Sequence, residues 1–271
     1  MGLALASGTS STDGVPAPLE LPEPWRDARV AVVVPTYNEA GNLPQLAERV
    51  LGLPLPSIRL IVADDNSPDG TGQIADELAS QANANRPDRM VVLHREAKEG
   101  IGRAYIAAMT EALSRGDEYV VQMDGDLSHS PEFIPRMLGA LLATESGLVI
   151  GSRYVIGGSL SDQWGWHRRV LSRGAGIYIN AILHLNVRDT TGGFKLWRAN
   201  VLKDISLDRV RSDGYSFQVE MNYLCKQHGH RILEIPIHFN ERHAGSSKIS
   251  FAVQLESIKT PFALRMTHRR R

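Results

Sequence analysis

Short apolar runs alternate with longer amphipathic stretches along the first half of the chain. Val30-Ala31-Val32-Val33-Val34 is a nearly continuous β-branched run closed by Pro35, the pattern of a strand buried on both faces. A helical pattern over residues 42–51 follows, then a strand over 58–63 that ends in Asp64-Asp65-Asn66-Ser67. Pro68-Asp69-Gly70 marks a turn, and a helix runs from there to about residue 84. The same rhythm predicts a strand over 90–93, a helix over 101–114 and a strand over 119–123. Ser130-Pro131-Glu132 reads as a helix start with Ser at the cap, continuing to about residue 143 before a strand over 148–150. Strands alternating with helices of this length imply βαβ units and a mostly parallel sheet.

Beyond Gly151 the rhythm changes. Residues 155–165 read as a polar, Gly-rich loop. Residues 167–184 read as one helix with Leu171, Ala175, Tyr178 and Ile182 on a single stripe. A loop over 189–193, a strand over 194–197, a helix over 217–228 and a strand over 232–239 follow. Residues 244–250 form a small polar loop, and we expect 244–248 to close over bound substrates. From residue 251 onward Phe251, Leu255, Ile258 and Phe262 share one helical face, and Pro261 is expected to shorten or kink that helix. The organisation expected is a flexible leader over 1–28, rich in Ser, Thr, Gly, Pro and Ala, a domain over 29–250, and an amphipathic basic tail over 251–271.

Composition narrows this picture little. The 271 residues are 42% apolar and 22% charged, ordinary for a soluble domain with a sizeable core. Thirty basic residues balance thirty acidic ones, so bulk charge carries no nucleic-acid signature. Locally, residues 240–271 hold seven Lys or Arg against two Glu, which suits phosphates, an anionic membrane surface or a solvated tail. Cys225 is the single cysteine, so no internal disulfide forms. The N-terminal stretch lacks a signal-peptide pattern and no run is long enough to span a membrane, which points to a cytoplasmic location.

The candidate chemistry lies where strands end. Pro35-Thr36-Tyr37-Asn38-Glu39 follows the first strand, Asp64-Asp65 the second, and Asp124-Gly125-Asp126 the fourth. In a parallel sheet these tips share one edge, the edge at which open α/β folds bind ligands. Asp124 and Asp126 read either as a polar turn or as paired hard ligands for a divalent cation. The G-x-G-x-x-G fingerprint and the P-loop are both absent, which argues against a nicotinamide oxidoreductase and a P-loop NTPase.

These motifs resemble a known family. Val34-Pro35-Thr36-Tyr37-Asn38-Glu39, Asp64-Asp65-Asn66-Ser67-Pro68-Asp69-Gly70-Thr71 and Met123-Asp124-Gly125-Asp126-Leu127-Ser128-His129 together look like a family 2 glycosyltransferase of GT-A fold. More closely they are similar to the polyprenol (dolichol) phosphate mannose synthases. Gly151-Ser152-Arg153-Tyr154, Ser172-Arg173-Gly174-Ala175, Asp189-Thr190-Thr191-Gly192-Gly193-Phe194, and Arg242 with Lys248 continue the likeness in order over about residues 30–250. The resemblance implies mannose transfer from GDP-mannose to a polyprenyl monophosphate, with inversion. It implies that Pro35, Tyr37 and Glu39 hold the guanine and ribose end, with Asp65 and the backbone of Ala63 at the base. It implies that Asp124 and Asp126, around Gly125, bind Mg²⁺ or Mn²⁺ on the diphosphate. Arg153, Arg168, Arg242 and Lys248 match residues that contact the donor diphosphate and the acceptor phosphate, and Asp126, Arg153 and Arg168 form the implied catalytic set. Some relatives carry a Gln as a further metal ligand where this chain has Ser128. The partners implied are GDP-mannose, the lipid phosphate, and a membrane at its cytoplasmic face, which the enzyme either touches peripherally or reaches through an anchoring protein or a further segment. The same motifs also fit a UDP-sugar-dependent polyprenyl-phosphate glycosyltransferase, and a non-catalytic nucleotide- or phospholipid-binding module is the reading from another class.

Other polar residues have structural readings beside functional ones. His129 either orients its loop or ligates. Asp64 is a candidate partner for a basic residue, Asp189 shapes its loop or orients an arginine, and Glu220 reads as a salt-bridge partner. Trp164 and Trp166 pack or meet lipid, and the Phe251–Phe262 stripe packs on the domain or lies at a membrane surface.

Overall fold

The computed structural model describes residues 19–160, 166–240 and 251–267, without the side chains of 166–170 and 251–258. The first strand, β1 (Val30–Thr36), sits in the middle of the sheet. Its residues Val30 to Val34 are all 0% exposed. Alternate side chains enter two different cores. Val30, Val32 and Val34 face one, and Ala31 and Val33 the other, the period-2 consequence of strand geometry.

The chain then runs α1 (Leu43–Leu51), β2 (Ile58–Asp64), α2 (Thr71–Asn83), β3 (Met90–His94), α3 (Ile101–Ser114), β4 (Tyr119–Gln122), α4 (Ile134–Thr144) and β5 (Leu148–Ser152). Next come β6 (Ser159–Leu160), α5 (Trp166–Leu183), β7 (Lys195–Arg198), α6 (Ala199–Ile205), α7 (Gly214–Gln227), β8 (Ile232–Pro236), β9 (His238–Phe239) and α8 (Phe251–Thr267). Seven strands form one sheet in the order β3-β2-β1-β4-β7-β5-β8, and β6 pairs with β9. The helices cover both faces. Leu43, Leu46 and Val50 of α1 and Ile134, Met137 and Leu141 of α4 fill one core. Ala104, Tyr105 and Ala108 of α3, Val201 and Leu202 of α6, and Phe217 and Met221 of α7 fill the other.

Neighbours β2 and β4 both run parallel to β1. Register pairs Thr36 with Asp64, and Val33 with Gln122. The three polar tips therefore reach the same edge, as the strand pattern requires. Strand β7 runs antiparallel between β4 and β5, so the loop that precedes it, 189–193, also opens at that edge.

Several details differ from the sequence expectations. The expected strand over 232–239 divides in two: Pro236 closes β8, because it has no N–H for the ladder, and His238–Phe239 pairs with Ser159–Leu160 instead. Ser130 does not cap its helix. A 3₁₀ turn over Pro131–Phe133 precedes α4, and the Ser130 hydroxyl accepts from Asn240 Nδ2 at 3.1 Å. Pro261 lies inside α8 without ending it. Helix α6 had no signal of its own, since seven residues give too short a window for periodicity. Near the N-terminus, Leu21 is buried against the α4 side of the domain, its Cδ2 3.0 Å from where a Cβ on Gly139 would stand.

The α3/α7 side of the sheet is not wholly apolar. Gln122 and Lys195, paired across β4 and β7, are both 0% exposed. Burial lowers the Lys195 ammonium to about 7 from an ordinary 10.5, with Asp189 and Cys225 opposing the shift. Its Nζ donates to the Gln218 carbonyl at 3.0 Å, a bond the neutral amine also makes. Between those two pKa values the unfolded chain holds a proton that the folded chain has released, so stability rises with pH from about 7 to 10.5. Lys195→Met removes this term. Its urea-unfolding free energy, compared at about pH 7 and about pH 9, rises less steeply than that of the wild-type chain, by up to about 1.4 kcal/mol per pH unit. Equal slopes for the two proteins would count against the assignment.

Candidate active site

The site is built from loops at the C-terminal edge of the parallel strands. After β4 the alternation continues past the ladder: Val121 and Met123 face the α1/α4 core, whereas Gln122 and Asp124 face α3. Tyr105 of α3 is fully buried, and its hydroxyl donates to Asp124 Oδ1 at 2.6 Å. Burial, followed by the Asp124 charge, pushes this phenol well above its ordinary range, so it stays a donor.

Asp126 is held differently. Leu127 takes a left-handed φ of 60° and turns the chain back. The backbone N–H and hydroxyl of Ser128 then donate to Asp126 Oδ1 at 3.1 and 2.6 Å. Ser128 thus orients a carboxylate at the position where some relatives carry a Gln ligand. His129 is buried and stacks on Phe194, with ring centroids 5.1 Å apart. Burial lowers its pKa despite the opposing charges of Asp124 and Asp126. Its Nδ1 lies 3.4 Å from the Asp124 N–H, which fits the loop-orienting reading.

Among the described residues no cluster of three or more His, Cys, Asp or Glu side chains is placed to hold a metal. Two carboxylates at a strand tip nevertheless fit Mg²⁺ or Mn²⁺. These hard cations commonly take one or two protein carboxylates and fill the remaining positions with water and phosphate oxygens. The residues present therefore suit a metal shared with a diphosphate and suit poorly a metal caged by protein alone.

The β1 and β2 tips form the adjoining wall. A Cβ at Gly125 would stand 3.4 Å from the Pro35 carbonyl and 3.6 Å from Glu39 Cγ, so Pro35, Glu39 and the Asp124–Asp126 loop are in contact. Glu39 is positioned by its N–H on Thr71 Oγ1 at 2.9 Å and by Asn42 Nδ2 on its carboxylate at 2.7 Å. Asp64 takes the Thr36 and Ser67 hydroxyls at 3.0 and 2.6 Å, so hydroxyls rather than the basic residue expected of it fix its orientation. Asp65 is paired with Arg95, which also reaches Glu99 at 2.7 Å. Burial raises the Asp65 pKa, and Arg95 opposes that shift. Tyr37 is 38% exposed and carries Lys98 Nζ 3.7 Å over its ring. Ala63 lies in β2 level with Pro35, its side chain buried. Arg95 and Lys98 went unnoticed in the sequence although they follow the β3 tip; reading that tip with the other three would have found them. Tyr105 gave no signal, since an aromatic on an apolar helix face reads as core.

Arg153 follows β5. Its Nε and Nη2 reach the two oxygens of Asp189 at 2.8 and 2.6 Å, and its own N–H reaches Oδ2 at 2.9 Å. Asp189 therefore orients an arginine, one of its two sequence readings. Burial alone would lower the guanidinium; the Asp189 carboxylate outweighs it and holds Arg153 above its ordinary value. A Cβ at Gly193 would meet Asp124 Oδ2 at 3.3 Å, which sets the Asp189–Gly193 loop against the Asp124 carboxylate. Glu220 accepts the backbone N–H groups of Arg211 and Ser212 at 3.3 and 2.9 Å. Arg242, Lys248, Trp164 and the expected closing loop fall outside the described residues, as do the side chains of Arg168 and Trp166.

Comparison with known proteins agrees with this geometry. The profile described as "Glycosyl transferase family 2" matches residues 31–206. The chain belongs to glycosyl transferase family 2. Within that family it is 44% identical over 222 residues to the polyprenol monophosphomannose synthase of Mycolicibacterium smegmatis, covering 82% of this chain and 81% of the relative. It is 41% identical over 230 residues to the undecaprenyl-phosphate mannosyltransferase of Micrococcus luteus, covering 85% and 91%. Among solved structures, glucosyl-3-phosphoglycerate synthase from Mycobacterium tuberculosis, in complex with Mn²⁺, UDP-glucose and phosphoglyceric acid, superposes with a TM-score of 0.64 at 18% identity. That superposition covers 88% of this chain and 79% of the other, and it carries the fold, which is GT-A as the resemblance implied.

The Arg153–Asp189 pair is a test of this architecture. Asp189→Ala leaves a guanidinium whose side chain is 11% exposed without its counter-charge. The expected cost is about 3–5 kcal/mol, read from urea unfolding. An unchanged midpoint would show that the pair is dispensable to the fold.

Proposed function

We propose that this protein transfers mannose from GDP-mannose to a polyprenyl monophosphate, giving polyprenyl phosphate mannose with inversion at the anomeric carbon. The observation that carries the reading is the apposition of Asp124 and Asp126 to the Pro35–Glu39 wall on one edge of the sheet. High identity over most of their length to two polyprenyl-phosphate mannosyltransferases supports the choice of sugar and acceptor.

The chemistry follows from the charges. A phosphate oxygen of the lipid attacks the anomeric carbon, the bond from that carbon to the nucleotide diphosphate breaks, and GDP leaves with the electron pair. The nucleophile is already an anion, so the reaction needs no general base. A divalent cation, when bound, neutralises charge developing on the leaving diphosphate. In this reading Asp124 and Asp126 hold it. Arg153, presented by Asp189, pairs with phosphate oxygens. Tyr37, Asp65, Arg95 and Lys98 form the end that receives the base and ribose. Arg168, Arg242 and Lys248 are assigned to the phosphates by family likeness alone.

A lipid acceptor also needs a route from the membrane. Among the described residues no helix is long and apolar enough to cross one. Helices α5 and α8 pack together through Tyr178 and Phe262, and they leave Leu171, Ile177, Phe262 and Met266 at 65%, 73%, 54% and 75% exposure. Arg173 and Arg265 are exposed on the same helices. The Tyr154 hydroxyl donates to Ser172 at 2.8 Å, which ties α5 to the residue beside Arg153. This surface suits peripheral contact with an anionic bilayer, its apolar side chains in the interface and its arginines at the headgroups.

Purified protein assayed with labelled nucleotide sugars, a polyprenyl phosphate and a series of metals tests the reaction. GDP-mannose with Mg²⁺ or Mn²⁺ supports transfer, and Asp126→Ala lowers it by about 10²-fold or more with the circular dichroism spectrum intact. Full activity in that variant would sink the metal assignment, and turnover with UDP-glucose instead would replace the donor. For the membrane face, Ile177→Glu with Met266→Glu weakens sedimentation with anionic liposomes by about 10-fold or more. Undiminished sedimentation would place the contact elsewhere.

A further inference from the structure

Helix α7 carries a polar stripe into the interior: Gln218 is 5% exposed and Asn222 0%, four residues apart on one face. Asn222 Nδ2 donates to the Thr190 carbonyl at 3.0 Å, beside the aspartate that holds Arg153. Gln218 Oε1 accepts from Gln122 Nε2 at 2.7 Å, in the strand that leads to Asp124. Tyr105, on the neighbouring helix α3, donates its hydroxyl to Asp124.

Gln122 gives an amide hydrogen to Gln218, and the single phenolic hydrogen of Tyr105 points to Asp124 Oδ1. Tyr105 is itself fixed as a rigid body. Its ring stacks on Phe217 at 5.9 Å with 2° between planes. Asp213, immediately before α7, accepts the Gly102 N–H at 2.6 Å and so joins the start of α3 to α7. A Cβ at Gly100 would stand 2.2 Å from the Asp213 carboxylate, so that contact needs glycine.

We infer that Tyr105 is a positioning residue for the Asp124 carboxylate: its hydroxyl, on a ring fixed by the stack against Phe217, anchors Asp124 Oδ1 and holds the carboxylate in the orientation that receives the cation. The inference rests on the metal reading of Asp124 and Asp126. A carboxylate tethered at one oxygen is pre-organised, and no rotamer freedom has to be lost when the cation arrives. Loss of such an outer hydrogen bond commonly costs about 10–100-fold in metal affinity.

Binding of Mn²⁺ followed by electron paramagnetic resonance, with GDP present and no acceptor, tests this without turnover. Tyr105→Phe keeps the ring and its stack on Phe217. It is expected to weaken Mn²⁺ binding about 10-fold or more, with the melting temperature and metal-free GDP affinity close to wild type. Equal Mn²⁺ affinity in wild type and Tyr105→Phe would overturn the inference while leaving the metal reading intact. A loss of GDP binding in parallel with Mn²⁺ would assign Tyr105 a merely structural role and overturn it too. Failure of the wild-type chain to bind Mn²⁺, with Asp126→Asn indistinguishable from it, would overturn the metal reading and this inference together.

Discussion

The burial of β1 on both faces constrains everything else in this molecule. A strand whose side chains enter two cores needs a helix layer on each side and a hydrogen-bonded neighbour on each edge. The neighbours β2 and β4 run parallel to it, so all three finish at one edge. No charged group is tolerated along the apolar stretch, and the first positions at which carboxylates can stand are those just past it. Asp64, Asp65, Asp124 and Asp126 stand there. The same alternation that sorts valines between two cores turns Asp124 toward α3 and brings it to Tyr105.

The second constraint is the polar layer between β4, β7 and α7. Gln122, Lys195, Gln218 and Asn222 are buried where apolar side chains would pack with less desolvation cost. Their hydrogen bonds offset part of that cost and give directionality that apolar packing lacks. Asn222 of α7 reaches the loop that presents Arg153, and Phe217 of the same helix stacks on the tyrosine that holds Asp124. Both charged halves of the site are therefore braced from below by one helix. Lys195 is the most expensive member, and burial resolves the expense by shifting the amine toward its neutral form.

At the β1 and β2 tips the bracing is electrostatic and more exposed. Arg95 satisfies Asp65, and Lys98 lies over the Tyr37 ring. These cations suit the nucleotide end proposed for this wall. On the β5 side, Tyr154 joins the Arg153 corner to α5, whose exposed side chains include Leu171 and Ile177 as well as Arg173. In the proposed reading the nucleotide donor meets the first of these regions and the lipid phosphate the second.

Local pattern alone determined the strand and helix rhythm up to Ser152 and the acidic tips, because buried parallel strands are written as unbroken β-branched runs. The ordered motifs determined the family. Pro35, Glu39, Gly125 and the two aspartates lie together because parallel neighbours of β1 end at one edge of the sheet. The antiparallel β7, the short α6, and the division of 232–239 at Pro236 were decided by tertiary pairing, which leaves no periodic trace in so few residues. Tyr105 and the Gln122–Gln218 contact were likewise decided only in three dimensions. Gln122 and Gln218 are separated by 96 positions along the chain. A glutamine in a strand and another in a helix look like surface residues until the fold closes over both, for a hydrogen bond between distant segments has no signature in either segment by itself.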